Sequence, residues 1–257
     1  KNQSLLDRPM EYNIWRAPMD NDRNIKLEWM KAQYDRIVTR AYETKVHKTE
    51  KEVKIETTLS ISAIYIQRIL DIQVTWNIQA DGTVDIAMDV KRNPIFPMLP
   101  RFGLRLFLPK EMKDVTYYGL GPVESYMDKR RASWHGEFSS PVTDLHEDYI
   151  RPQENGSHYD CDYVTLSSNA GHLLPERKTS LTAVSGQTFS FNASVYTEEE
   201  LTNKAHHYEL EECGSTVLCL DYRQNGIGSN SCGPQLIEKY RLDENEFHFE
   251  LRLKPEV

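Results

Sequence analysis

The segment L-D-I-Q-V-T-W-N-I, residues 70–78, is followed by Asp81-Gly82 and then by V-D-I-A-M-D-V, residues 84–90. Apolar and polar residues alternate in both stretches, and a period of two places the apolar side chains on one face of a β-strand. Asp-Gly between two such runs is typical of a tight turn with positive φ. The segment therefore predicts an antiparallel hairpin with one apolar face.

The same alternation recurs on both sides of this hairpin. It is found in residues 53–59, 102–108, 189–195 and 247–253. Repeated runs with one apolar face are typical of antiparallel sheets packed around a core, and we expect roughly fifteen strands. The prediction is an all-β fold, a large antiparallel sandwich formed by residues 1–257 as one domain.

Helical signals are few. Asp22 is a candidate cap for a helix whose apolar positions follow at helical spacing, and Thr197 with Glu200 forms a capping box for a second short helix. The apolar positions of the first helix are Leu27, Met30, Tyr34, Ile37 and Val38. Residues 141–156 contain many turn formers and predict a long surface loop.

Composition excludes several classes of protein. The 39 acidic and 31 basic residues give a net charge of −8, which argues against binding to nucleic acid or to an anionic membrane. No apolar run approaches the length of a membrane span. The four cysteines have no metal-like spacing, so we expect buried free thiols, a reducing compartment and a cytoplasmic location. The start at Lys1 suggests a piece excised from a longer protein.

The glycine-rich segment N-G-I-G-S-N-S-C-G-P, residues 225–234, could be a phosphate cradle, the site of a nucleophilic thiol or a tight loop. A dinucleotide fingerprint requires a helix after the glycines, and Gly233-Pro234 stops any helix. Cys232 as a nucleophile would need a histidine base, and no local signature supplies one. A tight turn between strands is the favoured interpretation.

Acidic side chains offer candidate pairs for sugar chemistry, but the sequence does not rank them. The pairs are Glu124 with Asp128, Glu137 with Asp144, and Glu147 with Asp148. His158 lies among aromatic and acidic residues, and a structural hydrogen bond is favoured there over an acid/base role. The residues alone indicate a soluble β-sandwich that binds a sugar or a protein.

Five segments, in this order, resemble the C-terminal domain or separate small chain of the large β-galactosidases of glycoside hydrolase family 2. They are N-I-W-R-A-P-M-D-N-D (13–22), L-P-R-F-G-L-R-L-F-L-P (99–109), Y-Y-G-L-G-P-V-E-S-Y-M-D-K-R (117–130), Y-I-R-P-Q-E-N-G (149–156) and G-I-G-S-N-S-C-G-P (226–234). The resemblance implies a galactose-mutarotase-like super-sandwich with one or two short helices.

The resemblance also implies a role in a retaining β-galactosidase that hydrolyses terminal β-D-galactosides such as lactose. The family's two catalytic glutamates belong to an upstream (β/α)₈ barrel, so this chain is expected to hold no catalytic residue, metal or cofactor, and to be inactive alone. Magnesium or sodium would belong to that barrel. The implied partners are the catalytic domain or large subunit, a galactoside at the domain edge, and further copies in an oligomer.

The resemblance assigns residues to three roles. The loop next to the substrate comprises Asn230, Ser231 and Cys232, and it is shaped by Gly226, Gly228 and Gly233. Many family members carry a tryptophan at the end of this loop, where this chain has Cys232 and one residue fewer. Structural or interface roles are expected for Trp15, Arg16, Asp20, Asn21, Asp22, Arg151, Glu154 and Asn155.

Two alternatives stay open on the same fold. A stand-alone aldose epimerase would need a carboxylate base and a histidine acid, for which His158 and His135 are the candidates. A carbohydrate-binding module would only bind the sugar. A mutarotation assay and a galactose titration distinguish these functions from that of a small chain.

Overall fold

Twelve β-strands form one antiparallel sheet in the computed structural model, which describes residues 4–168, 179–228 and 231–256. The strands are β1 (Arg8–Asn13), β2 (Val38–Lys48), β3 (Glu52–Ser62), β4 (Leu70–Gln79), β5 (Val84–Arg92), β6 (Arg101–Pro109), β7 (Asp114–Gly121), β8 (Trp134–Pro141), β9 (His158–Ser167), β10 (Ser180–Ser194), β11 (Ser215–Gln224) and β12 (Glu246–Glu256). The all-β prediction is confirmed. The strands of the described part are fewer than the roughly fifteen expected, because several of them are long.

The predicted hairpin is formed by β4 and β5. Leu70 lies opposite Arg92 and Ile78 lies opposite Val84, so the two strands pair without a bulge. Gly82 in the turn has φ +88°, and the Asp81 carboxylate accepts a hydrogen bond of 2.9 Å from the Thr83 amide. Local alternation and turn chemistry are sufficient to form this element.

Strand β10 joins the two layers of the super-sandwich. Its first half, Ser180–Val184, lies between β12 and β9, whereas its second half, Ser190–Ser194, pairs with β11. The strand order runs β1-β6-β11-β10-β12-β5-β4-β3-β2, with β9, β7 and β8 attached beside β10. The sheet therefore folds over on itself, and its inner faces enclose one large apolar core.

The first helix differs from its prediction. Helix α1 (Ile25–Lys31) has seven residues, and Asn24 rather than Asp22 is its N-cap residue. Leu27 and Met30 are 63% and 46% exposed, whereas Trp29 is fully buried. The predicted helix was too long, because α1 ends at Lys31 and Val38 already begins β2. The buried Trp29 indole orients the short helix by donating a 2.9 Å hydrogen bond to the Met98 carbonyl.

The second helix agrees with its prediction. The long loop is irregular as expected but lies only partly at the surface, because Pro152, Gln153 and Glu154 are buried. Helix α2 (Glu198–Asn203) is capped by the Thr197 hydroxyl, which accepts a 3.1 Å hydrogen bond from the Glu200 amide. Residues 141–156 are irregular apart from a 3₁₀ turn at Val142–Leu145. Within the described residues, no helix has both the length and the apolar character that a membrane span requires.

Gly103 on β6 provides a test of how closely β6 approaches β11, its neighbour in the sheet. A Cβ atom there would lie 2.2 Å from the Leu220 carbonyl oxygen and 2.4 Å from Asp221 Oδ1. We expect Gly103→Ala to lower the free energy of unfolding by at least about 1–3 kcal/mol, since the contact involves backbone that cannot move aside easily. Chemical denaturation measures the change.

Gly186→Ala is the matched control, because nothing lies within 4 Å of a Cβ atom at that position of β10. It should leave stability unchanged or raise it slightly by restricting the unfolded chain. Equal effects of the two substitutions would contradict the close approach of β6 and β11.

Candidate functional site

The five sequence segments singled out above meet at one end of the sandwich. They lie far apart in the chain, yet side chains from each segment hold another segment through hydrogen bonds or ion pairs. The glycine-rich loop lies at the outer edge of this convergence. We take the loop and its supports as the candidate site.

Arg16 holds the start of the loop. Its guanidinium makes a fully buried ion pair with Asp22, with nitrogen–oxygen distances of 2.8 and 3.2 Å. The same group donates to the carbonyl oxygens of Asn225 at 2.5 Å and Gly226 at 3.2 Å. Asp22 therefore orients Arg16 and accepts a 3.0 Å bond from the Met19 amide, but it is not the N-cap of α1. Arg16 in turn fixes the backbone where the loop leaves β11.

The middle of the loop is held from two sides. The Asp128 carboxylate accepts hydrogen bonds from the amides of Ile227 at 3.0 Å and Gly228 at 2.8 Å. The Asn21 amide donates to the Ile227 carbonyl at 3.0 Å, and its oxygen accepts a 3.2 Å bond from the Ser231 hydroxyl. Two of the five segments thus clamp the backbone of a third.

The loop glycines differ in their surroundings. A Cβ atom at Gly226 would lie 2.8 Å from Asp128 Oδ2, and one at Gly228 would lie 3.1 Å from the same oxygen. At Gly233 nothing lies within 4 Å of that position. A Cβ atom at Gly226 would therefore displace Asp128, whereas one at Gly228 would need only a small shift of its carboxylate.

Ser231 and Cys232 form the outer part of the loop. The Cys232 thiol is exposed and lies 3.8 Å from the Ser231 hydroxyl. Asn230, the third residue of the predicted substrate loop, lies outside the described residues. No histidine ring is hydrogen-bonded to Cys232 among the residues that the structure describes.

Arg101 lies beneath the loop at the start of β6 and is fully buried. Its guanidinium binds the Asp221 carboxylate of β11 in a bidentate manner, at 2.5 and 3.2 Å. The other terminal nitrogen lies 3.3 Å from both Glu154 and Glu198, and Asn192 accepts a further bond of 2.9 Å. One side chain therefore connects two strands, helix α2 and the long loop.

Arg105 extends these contacts toward the surface. It donates to Glu198 at 2.7 Å, to Glu199 at 2.9 Å and to Glu11 at 2.7 Å. The Cys219 thiol donates to Glu198 at 2.9 Å. Two arginines thus face three buried carboxylates, those of Glu154, Glu198 and Asp221, with two further acids at the rim.

Burial and charge set the protonation of these acids. Burial raises the pKa of Glu154 to about 7 and that of Asp221 to about 6, although Arg101 opposes both shifts. Burial also penalises the charged form of Glu198, but Arg105 and Arg101 outweigh that penalty and lower its pKa. Near neutral pH Glu154 is therefore partly protonated, which balances the charge of the group.

The other polar residues of the site link the remaining segments. The Glu124 carboxylate pairs with Lys129 and accepts bonds from the Tyr149 hydroxyl at 2.6 Å and the Gly156 amide at 2.9 Å. Its pKa is lowered, because these partners outweigh the effect of burial. The candidate catalytic pair of Glu124 and Asp128 thus holds two loops in place.

Gln153 connects the long loop to the first segment, since its side-chain oxygen accepts a 3.1 Å bond from the Asp20 amide. Asn155 accepts a 3.0 Å bond from the Glu147 amide within the same loop. The Trp15 indole donates to Thr202 at 3.2 Å. Arg151, in contrast, is exposed.

A small cavity lies beside the cluster of charged side chains around Arg101. Its volume is about 20 Å³, and its polar lining includes Arg101, Glu154 and Asn192. That volume holds one water molecule and no sugar. Among the described residues, no group of three or more histidine, cysteine or acidic side chains could hold a metal ion.

The two candidate acid histidines lie in different surroundings. His158 is buried against the rings of Tyr117 and Phe191, and burial lowers its pKa to about 4. Its Nδ1 lies 3.3 Å from the Leu120 carbonyl oxygen. His135 lies at the surface beside the Tyr118 ring. His135 Nε2 lies 3.5 Å from Asp162 Oδ2. Within the described part of the chain, neither histidine lines the cavity next to Arg101.

Sequence reasoning did not single out Arg101, Asp221 or Glu198 as members of a site. The available signal was a charged residue within an otherwise apolar strand, as in R-F-G-L-R-L-F and V-L-C-L-D. Such a residue must be paired if its strand is buried on both faces. The pattern could therefore have indicated a buried ion pair, but not which residues form it.

The pKa of Glu154 predicts a specific pH dependence. The unfolded chain releases this proton near pH 4.5, whereas the folded protein holds it until about pH 7. The folded state binds more protons between these values, so the contribution of Glu154 to the free energy of unfolding falls as pH rises. The fall should amount to about 3 kcal/mol.

The measurement is the free energy of unfolding of the wild type and of Glu154→Gln between pH 4.5 and 7.5. The stability of the wild type relative to the variant should decrease as pH rises. Glu246→Gln, at an exposed residue that pairs with Lys91, is the control and should follow the wild-type curve. A Glu154→Gln curve parallel to the wild type would refute the raised pKa.

Known β-galactosidases are similar to this chain. It is 43% identical over 245 residues to the β-galactosidase of Actinobacillus pleuropneumoniae, an alignment that covers 95% of this chain and 23% of that protein. The β-galactosidase of Staphylococcus xylosus is 41% identical over 253 residues, covering 98% of this chain and 25% of that protein. The chain thus spans about a quarter of the length of these relatives.

Solved structures of sugar epimerases resemble this chain with much lower sequence identity. The galactose 1-epimerase of Lactobacillus acidophilus NCFM matches with a TM-score of 0.40 and 9% identity, covering 83% of this chain and 66% of that one. An aldose epimerase homologue from C. elegans matches with a TM-score of 0.36 and 8% identity, covering 82% and 67%.

A family model described as the β-galactosidase small chain matches residues 1–253. The match covers all five segments that meet at the candidate site. The chain therefore belongs to the β-galactosidase small chain family.

Proposed function

We propose that this chain is the non-catalytic part of a retaining β-galactosidase of glycoside hydrolase family 2. It completes the wall of an active site whose two catalytic glutamates lie in another part of the enzyme. The observation that carries the proposal is the convergence of five sequence segments on one clamped loop, together with the exposed thiol at its tip.

The fold supports the proposal that catalysis takes place in another part of the enzyme. A (β/α)₈ barrel requires eight parallel strands, eight helices and about 250 residues. All strand pairings in the described part of this chain are antiparallel, and its two α-helices are short. We infer that the catalytic barrel is supplied by polypeptide outside this chain, since the chain spans about a quarter of the length of its relatives.

The loop has the rigidity that a substrate contact needs. Backbone atoms of residues 225–228 are held by Arg16, Asn21 and Asp128, and two of these side chains are themselves fixed by buried or hydrogen-bonded partners. Holding residues 225–228 in this way lowers the conformational entropy that a contact made by the loop would lose on binding. In this proposal, Ser231 and Cys232 border a galactoside bound at the domain edge.

A first experiment separates this chain from its enzyme. The purified chain 1–257 should not hydrolyse a chromogenic β-galactoside, because it lacks the catalytic acid and nucleophile. Co-expression with the remaining part of the enzyme should restore hydrolysis. Near-ultraviolet circular dichroism of the isolated chain provides the folding control, and robust turnover by the folded chain alone would contradict the proposal.

A second experiment addresses the loop in the complete enzyme. Cys232→Trp introduces an aromatic ring at the substrate edge, and ring contacts of this kind are worth about 1–3 kcal/mol. We expect KM for a galactoside to fall by about tenfold, which corresponds to 1.4 kcal/mol, with little change in melting temperature.

Cys213→Trp is the matched control, since Cys213 is also exposed but lies just before β11, away from the glycine-rich loop in sequence. It should leave KM unchanged. Equal KM values for the wild type and Cys232→Trp would refute the proposal that Cys232 borders the substrate.

A further inference from the structure

Strands β2, β3 and β4 carry an apolar surface that no part of the described chain covers fully. We call it the β2–β4 stripe, and it consists of Val46, Ile55, Trp76, Val53 and Ile78. Val46, Ile55 and Trp76 lie opposite one another across the three strands, and Val53 pairs with Ile78 beside them. Val46 is 61% exposed and Ile78 is 36% exposed, while the other three are half-buried.

The stripe continues the core face of the sheet. Ile55 and Val53 have the same alternation as Leu59 and Ile61, which are buried, and β3 has no bulge against β4 that would reverse the faces. Buried residues thus give way to exposed ones along a single face. The second layer of the sandwich ends before the strands do.

The opposite face of the same strands is polar. Lys45 pairs with Glu43, and Lys54 lies 2.8 Å from Glu56, which also faces His47 at 3.5 Å. Every residue of β2 is exposed, and β2 is the last strand on its side of the sheet. One face of this region is therefore suited to water, and the other is suited to burial against protein.

We propose that the β2–β4 stripe is covered, in the complete enzyme, by the part of the β-galactosidase that lies outside residues 1–257. This inference rests on the proposed function. The chain spans about a quarter of the relatives that it matches, so three quarters of such an enzyme is available to pack here.

The size of the stripe favours this occupant over a second copy of the chain. A stable interface between separate proteins buries about 1,200–2,000 Å² in total, which five side chains cannot supply alone. A partner that is already attached or docked elsewhere needs much less area, because its effective concentration is high. The rest of the same enzyme meets that condition.

The test uses the complete β-galactosidase with single cysteines at adjacent positions of β2. Val46→Cys places a thiol on the stripe, and His47→Cys places one on the polar face of the same strand as the matched control. Both native side chains are about 60% exposed in this chain, so without a cover the two thiols should react alike. A maleimide is added under native conditions, and labelling at each position is followed by peptide mass spectrometry.

The proposal predicts that labelling at position 46 is at least about tenfold slower than at position 47, because packing against protein excludes the reagent. Equal rates would overturn it, and so would equal protection of both positions. A photo-crosslinker at position 46 identifies the cover. A crosslink to polypeptide outside residues 1–257 supports the proposal, whereas a crosslink to a second copy of residues 1–257 overturns it.

Hydrolysis of a β-galactoside by the same wild-type preparation tests the proposed function separately. An enzyme that hydrolyses galactosides but leaves position 46 reactive would refute the covered stripe alone. An enzyme that protects position 46 but does not hydrolyse galactosides would refute the proposed activity and leave the covered stripe supported.

Discussion

The buried guanidinium of Arg101 is the interaction on which the arrangement of this protein depends. It binds Asp221, Glu154 and Glu198, which come from β11, the long loop and helix α2. A buried charge without partners costs several kcal/mol. If one of these elements moved away, it would leave the Arg101 charge without a partner and destabilise the fold. The elements are therefore positioned together, and Gly103 provides the space in which β6 and β11 approach closely enough for the ion pair to form.

The same principle is repeated around the glycine-rich loop. Arg16 and Asp22 form a second buried pair, and the remaining donors of Arg16 hold the backbone of Asn225 and Gly226. Asp128 holds the next two residues of the loop. Arg16 and Asp128 thus act on backbone atoms of the loop, which is the arrangement expected of a support for the proposed substrate edge.

Two surfaces of the chain are proposed to contact other parts of the complete enzyme or its substrate. The tip of the loop presents Ser231 and Cys232, and the β2–β4 stripe presents apolar side chains that continue the core. The first surface is small and polar and the second is apolar, so they suit different tasks. A substrate edge needs position and selectivity, whereas a domain contact needs buried apolar area.

Local patterns in the sequence determined several secondary-structure elements of this protein. Alternation in residues 70–90 and the Asp81-Gly82 turn were sufficient for a hairpin, and Thr197 was sufficient to start α2, because each depends on residues only a few positions apart. The order of five quoted segments also identified the family. The tertiary structure alone decided which face of α1 is buried, which carboxylates surround Arg101 and where the core face of β2–β4 becomes uncovered. Arg101 and Asp221 are 120 residues apart, and such pairings depend on how the sheet folds over, which no local period encodes.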